Sequence, residues 1–307
     1  MTEYRLLKEF RGLFENTKYE HRRSNLGDFV AMHLYEDLLT IQKSERYTQA
    51  VTSMSRVLNG QNKRRGINAR RGDGTFGELI LGEEPQNDPG FAVARGPVAT
   101  VEIGVEVKIL SKAMIKQIDR VKSDLAHQVQ NFKHRAGSSR PICVAVIGIN
   151  YAAVTTSYEG ERSYRTDGGK FKHTIQEAEQ ARTRLLDVVS MYDEFIIFKY
   201  RVSNEPPYRF EWVNPKEVQL DYGAALIRIS NEYQKTLLTF NPSSIQGQEV
   251  QFHGIDQRFE PLQQRLVRRM GDVGFECRFA GEPHDSGKGV PLAVRGLIRS
   301  HVQLQQS

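Results

Sequence analysis

Cysteine is scarce in this chain. Only Cys143 and Cys277 occur among 307 residues, which excludes a disulfide framework and fits a reducing compartment. Cys143 lies in the apolar run ICVAVIGI, where a small buried side chain is the simplest expectation. No apolar run approaches the roughly 18 residues that a membrane-spanning helix needs. The first residues, MTEYRLLKEFRGLF, mix charges of both signs into the apolar positions. That is unlike a secretory signal, so a cytoplasmic setting without membrane contact is expected. The histidines are scattered, with no H-x-x-x-H spacing and no Cys/His cluster of the kind that holds zinc. There is no G-x-S-x-G elbow and no dinucleotide fingerprint. Gly281 to Gly287-Lys288 is one residue too long for a phosphate loop, and Gly289 stands where Ser or Thr is needed. No internal repeat or low-complexity tract is present.

What is present is an apolar share of 39%, enough for a sizeable core, and a net charge of +6. With a pI near 9.2, the chain is attracted to polyanions, of which nucleic acid is the commonest large one. The basic residues concentrate in GQNKRRGINARRGDGT, which lacks apolar periodicity and holds Lys63, Arg64, Arg65, Arg70 and Arg71. It reads as a basic loop: a solvated linker, or a segment that contacts a DNA backbone.

Hydrophobic periodicity predicts an amphipathic helix within 1–23. A second covers about 26–43, striped by Leu26, Val30, Leu34, Leu38 and Ile41. Strands are predicted at 76–81 and 90–94, and the strongest runs from Ala99 to Leu110. There Val101, Ile103, Val105, Val107 and Ile109 share one face and Glu102, Gly104, Glu106 and Lys108 the other. A helix follows over about 112–134 with Met114, Ile118, Val121, Leu125, Val129 and Phe132 as its apolar stripe. The run 142–149 suits a strand covered on both faces. A polar loop near 158–172 precedes a helix over about 174–191 and a strand at 195–202. Asn214, Pro215 and Glu217 form a helix start, with the helix reaching Leu237. Tyr200, Tyr208, Phe210 and Trp212, around Pro206-Pro207, are expected to fill the core beneath a turn rather than stack on bases. Beyond 241 the signal weakens to a helix near 259–270, a strand near 274–279 and a last helix in LAVRGLIRSHV. Such alternation specifies a three-layer α/β fold: a mixed β-sheet flanked by helices. The expected organisation is one domain over 1–240, with its core at about 26–202, and an extension over 241–307.

The chemistry-bearing segment is VATVEIGVEVKIL. Glu106 and Lys108 stand two apart on a strand and so leave the same face. The bland reading is a solvated edge with a weak ion pair, and surface solvation is the default for Glu102. The setting, a core strand followed by a long helix and a buried strand, favours a site instead. The segment resembles the (D/E)xK half of the PD-(D/E)xK nuclease superfamily. The order of helix, hairpin, helix and strand over roughly 26–150 is similar to that family's restriction-endonuclease-like core. RGDGTFGEL, PVATVEIGVEVKI and EPPYRFEWVN are similar to segments of restriction-endonuclease-like bacterial proteins.

The resemblance implies hydrolysis of DNA phosphodiester bonds with Mg²⁺, or Mn²⁺ in its place, in restriction, phage defence or repair. A homodimer and a partner protein of a defence system are the implied assemblies. Glu106 becomes a metal ligand, the Val107 carbonyl a further contact, and Lys108 the group that polarises water and offsets developing charge. The partner aspartate is ambiguous. Asp88 is preferred, because a hairpin through GFAVA and a turn at 95–97 brings it opposite Gly104 and Glu106. Asp73, in Gly72-Asp73-Gly74, is the rival, but its strand places Glu78 on the buried face. Neither follows the family's proline. Some members add a carboxylate from the first helix, and Glu36 is the candidate. Neighbouring Asp37 falls in the apolar stripe, where an unpaired carboxylate is costly. Gln128 is followed at the fourth position by Phe132, not by the tyrosine of RecB-like members.

Overall fold

A computed structural model describes residues 4–20, 25–59, 72–112, 114–134, 140–159, 161–167 and 174–235, with the backbone of 277–279 and 294–296. The chain divides into two compact units, Met1–Leu237 and Leu238–Ser307.

In chain order the first unit contains α1 (Arg5–Gly12), α2 (Leu26–Ile41), α3 (Glu45–Thr52), β1 (Arg56–Asn59), β2 (Gly74–Glu78) and β3 (Ile103–Leu110). There follow α4 (Met114–Lys133), β4 (Ile142–Asn150), β5 (Thr155–Glu159), β6 (Arg162–Thr166), α5 (Thr174–Val189), β7 (Glu194–Arg201), β8 (Glu211–Trp212) and α6 (Pro215–Lys235). Six strands form one mixed sheet in the order β1-β2-β3-β4-β7-β8. Its centre, β3-β4-β7, is parallel, and β1, β2 and β8 join antiparallel. Strands β5 and β6 pair as a separate hairpin that overlaps the polar loop expected near 158–172. In the second unit, β9 (Cys277–Phe279) pairs antiparallel with β10 (Val294–Gly296). Within LAVRGLIRSHV, the segment expected to be helical, Val294–Gly296 is extended, β-branched Val294 and Gly296 being poor helix formers; the rest of that segment lies outside the described residues. The expected helix near 259–270 lies outside the described residues.

The central strands form because their apolar residues are continuous or alternate with period two. All nine residues of β4 are buried. Val144 and Val146 enter one core, and Cys143, Ala145, Ile147 and Ile149 enter the other. Helices α1, α2, α3 and α6 cover the first core; α4 and α5 cover the second. The result is the three-layer α/β architecture, with the parallel strands shielded on both faces as such strands require. The α4 stripe buries the six apolar residues expected of it, and also Gln128. At α6 the Asn214 Oδ1 accepts from the Glu217 amide at 3.2 Å, the cap that the sequence pattern specifies. No described helix is long and apolar enough to cross a membrane.

Aromatic rings knit α1 to the sheet. Phe10 lies 5.2–5.7 Å from the rings of Phe198, Tyr200 and Trp212, and Phe210 stacks on Tyr200 at 5.7 Å. This is core packing. Asp37, buried in α2, accepts from the Arg5 and Leu6 amides at 2.8 Å each and from the Tyr222 hydroxyl at 2.9 Å. It thereby caps the first turn of α1, and these bonds offset the burial of its charge.

The short amphipathic helix expected within 1–23 is α1; it ends at Gly12, and Asn16 beyond it takes a left-handed φ of 57°. The short elements α3 and β1 escape a periodicity reading, and one expectation is corrected. Residues 90–94 form no strand: β3 is already bonded to β2 on one edge and β4 on the other, so no edge remains there for GFAVA.

Candidate active site

The site grows from the place where β2 stops and β3 continues. Strand β2 pairs with β3 at Gly74↔Val105, Thr75↔Gly104 and Phe76↔Ile103. Extended by one residue, that register sets Asp73 opposite Glu106. The Asp73 Oδ2 accepts from the Val107 amide at 2.7 Å, so a carboxylate takes over where the ladder ends. The first turn of α2 closes on the same group. A Cβ on Gly27 would fall 2.1 Å from Asp73 Oδ1, so any larger residue there must displace the carboxylate, and the positive end of a helix lies beside the anion.

Glu106 points to the opposite face from Val105 and Val107, beneath α4, and is only 7% exposed. Lys108 lies beside it on that face, its Nζ 2.7 Å from Glu106 Oε1 and 4.0 Å from Asp124 Oδ2 on α4. Burial, then the nearby Asp73 charge, pushes the Glu106 carboxyl up to about 7, while Lys108 pulls it the other way. Burial works against the Lys108 ammonium. The carboxylates of Glu106, Asp73 and Asp124 outweigh it, so its pKa rises above the ordinary lysine value and the group stays cationic at neutral pH.

Helix α4 runs antiparallel over β3. Phe132 sits on Gly104 and Gly72, where a Cβ would come within 2.5 Å of its ring, and Asp124 sits over Lys108. Four helical residues rise about 6 Å and two strand residues about 6.7 Å. Buried Gln128 therefore falls at the level of Glu106. These small residues let helix and strand approach closely enough to bury the carboxylate.

The structure thus brings together Asp73, Glu106, Val107 and Lys108. It places the other candidates elsewhere. Asp88 lies in the β2–β3 connection, its Oδ2 2.5 Å from Arg95 Nε, and the hairpin that favoured it does not form. The objection to Asp73 also dissolves. Phe76 is buried on the core face, but Glu78 ends the strand and is exposed. Glu36 is buried but structural: its Oε1 accepts from the Ala92 and Val93 amides at 2.9 and 2.8 Å, and Oε2 faces Arg5 at 3.4 Å. Glu102 is not a solvated side chain; it bonds Arg56 Nε at 2.9 Å and the Tyr233 hydroxyl, joining β1 to α6. Lys63, Arg64, Arg65, Arg70 and Arg71 lie outside the described residues. Sequence reasoning missed Gly27 and Asp124. The flanking glycines of Gly72-Asp73-Gly74 are the one local signal that Asp73 sits in a crowded place.

Among the described residues no group of three or more His, Cys, Asp or Glu side chains is arranged to hold a metal ion. The two carboxylates of Asp73 and Glu106 are hard oxygen donors. Such a set suits Mg²⁺ or Mn²⁺, which keep several waters and take few protein ligands, and does not suit zinc. No protein-family model, curated protein or solved structure matches this chain.

Proposed function

We propose that the chain is a metal-dependent deoxyribonuclease of the PD-(D/E)xK kind, hydrolysing DNA phosphodiester bonds at Asp73, Glu106 and Lys108. The observation that carries this reading is the buried carboxylate Glu106, with a second acid, Asp73, across the strand ends and a lysine 2.7 Å away. Two like charges held in a site of low polarity are costly without a cation between or beside them. Lys108 supplies one; a divalent ion is the natural second.

Asp73 and Glu106 would hold that ion, with the Val107 carbonyl as a further oxygen. When bound, Mg²⁺ supplies charge neutralisation at the phosphate and a lowered pKa for a bound water. Lys108 does the rest from the protein side: its ammonium, fixed by Glu106 and Asp124, faces the charge that develops on the phosphate oxygens. Net positive charge supports a polyanionic substrate.

A second reading is an inactive nucleic-acid-binding module on the same scaffold. It is favoured by the acids already being engaged, Asp73 by the Val107 amide and Glu106 by Lys108. Purified protein incubated with supercoiled plasmid separates the two. Nicking that needs Mg²⁺ or Mn²⁺, stops with EDTA and is lost in Lys108→Ala supports the enzyme. Binding at low salt without nicking supports the module. No binding at all defeats both.

A further inference from the structure

The two edges of the main sheet are treated differently. At β1 the outer edge is closed: Leu58 donates to the Ala94 carbonyl at 2.9 Å, and Gly96 donates to the Leu58 carbonyl at 3.1 Å. At the other end β8 pairs only with Tyr200 and Arg201 of β7, and the Val213 amide reaches the Lys199 carbonyl. Among the described residues, Glu194–Phe198 has no ladder on that side. The exposed edge is the apolar segment FIIF, with Phe198 and Ile196 buried in one core and Phe195 and Ile197 half-buried against the other. An open groove of about 330 Å³ runs along it, walled by α6 and by Arg182 of α5. Open apolar edges are templates for another strand, and folded proteins usually cover or blunt them.

We infer that a second copy of this chain docks here, β7 pairing antiparallel with β7 of its partner so that one sheet runs through a two-fold dimer. The occupant follows from the wall of the groove. On α6, Glu217, Asp221, Ala224 and Arg228 recur at spacings of four and three and line it, so they form one stripe. The stripe is acidic towards its N-terminal end and basic at Arg228. A two-fold axis that pairs β7 with itself also sets α6 antiparallel to α6. Small Ala224 then meets Ala224, and Asp221 of each copy faces Arg228 of the other. An isologous interface requires such self-complementarity. Leu220 and Ile227, 65% and 42% exposed, border the stripe and gain cover. The charges at the strand ends do not block pairing. Glu194 is held by Arg228 through bonds of 2.7 and 2.9 Å, and Lys199 is 3.3 Å from Glu217, both within the chain.

The full chain is tested by light scattering after gel filtration at tens of micromolar, where a dimer is expected. Asp221→Lys and Arg228→Glu are each expected to raise the dissociation constant roughly tenfold or more. An equimolar mixture of the two variants is expected to recover the dimer. In the mixed pair the two reversed charges meet at one end of the stripe and the two native charges meet at the other, so both contacts are attractive. That recovery also shows that both variants fold. Ala224→Cys, oxidised, is expected to give a 224–224 disulfide between copies, identified by mass spectrometry. A monomeric wild type overturns the proposal, whether the groove is empty or holds another segment of the same chain. So does a dimer that ignores both charge reversals and forms no 224–224 link.

Discussion

Asp73 and Glu106 come from segments separated by a long connection, yet the β2–β3 ladder ends at Gly74↔Val105, one residue short of both, and Asp73 accepts there from the Val107 amide at 2.7 Å. The acid therefore has two duties. It completes the hydrogen bonding of a strand where its neighbour stops, and it holds a negative charge beside a buried one. Burial first, and the Asp73 charge second, push the Glu106 carboxyl up to about 7.

Asp73 and Asp88 are separable by substitution. Asp73→Asn keeps an acceptor for Val107 but removes the second charge. It is expected to reduce metal-dependent cleavage by two orders of magnitude or more, roughly the scale on which loss of a positioned electrostatic group acts. Asp88→Asn, at the Arg95 pair, is expected to leave cleavage within about threefold, since partly exposed ion pairs contribute roughly 0–1 kcal/mol. Plasmid nicking rates measure both. Retained activity in Asp73→Asn would remove this acid from the mechanism.

Gly27 limits what can stand at the start of α2. Gly27→Ala drives a methyl into the Asp73 carboxylate and is expected to cost about 1–3 kcal/mol, the usual penalty for overpacking. Urea unfolding reads the loss. Gly12→Ala, where nothing lies within 4 Å of the added carbon, is the control and is expected to change stability little.

Glu36 belongs to the scaffold. Truncation in Glu36→Ala orphans the Ala92 and Val93 amides and is expected to destabilise by about 1–3 kcal/mol. Cleavage per folded molecule should persist. An intact melting midpoint combined with lost cleavage would return Glu36 to the catalytic set.

His33 introduces an acid sensitivity. It is buried against Phe29 and Phe91 at ring distances of 4.5 and 5.2 Å, and neither ring nitrogen has a hydrogen-bond partner among the described residues. Burial, then the nearby Arg5 charge, lowers its pKa from 6.5 to about 4. Between those values the unfolded chain binds a proton that the folded chain does not. Stability from this residue is therefore complete above pH 6.5 and falls as pH drops towards 4, by up to about 3 kcal/mol. His33→Leu is expected to flatten that part of the stability–pH curve. An unchanged slope would assign the acid sensitivity to other groups.

Local pattern determined much of this protein by itself. Alternation marked β3, continuous apolarity marked β4, a period near 3.6 marked α4, and Asn214 with Pro215 and Glu217 marked the start of α6. Each is decided by the side chains of one short segment meeting a core. Glu106 and Lys108 were legible for the same reason, since two residues on one strand share a face whatever surrounds it. The acid that joins them was decided only by tertiary structure. Asp73 and Asp88 each precede a short candidate strand, and the local reading that preferred Asp88 rested on a hairpin that does not form. The choice falls to Phe76 packing on Tyr35 and Tyr47, and to Phe132 seating on Gly72 and Gly104. Those contacts join residues distant in sequence, so the energy that selects Asp73 exists only once the chain has folded.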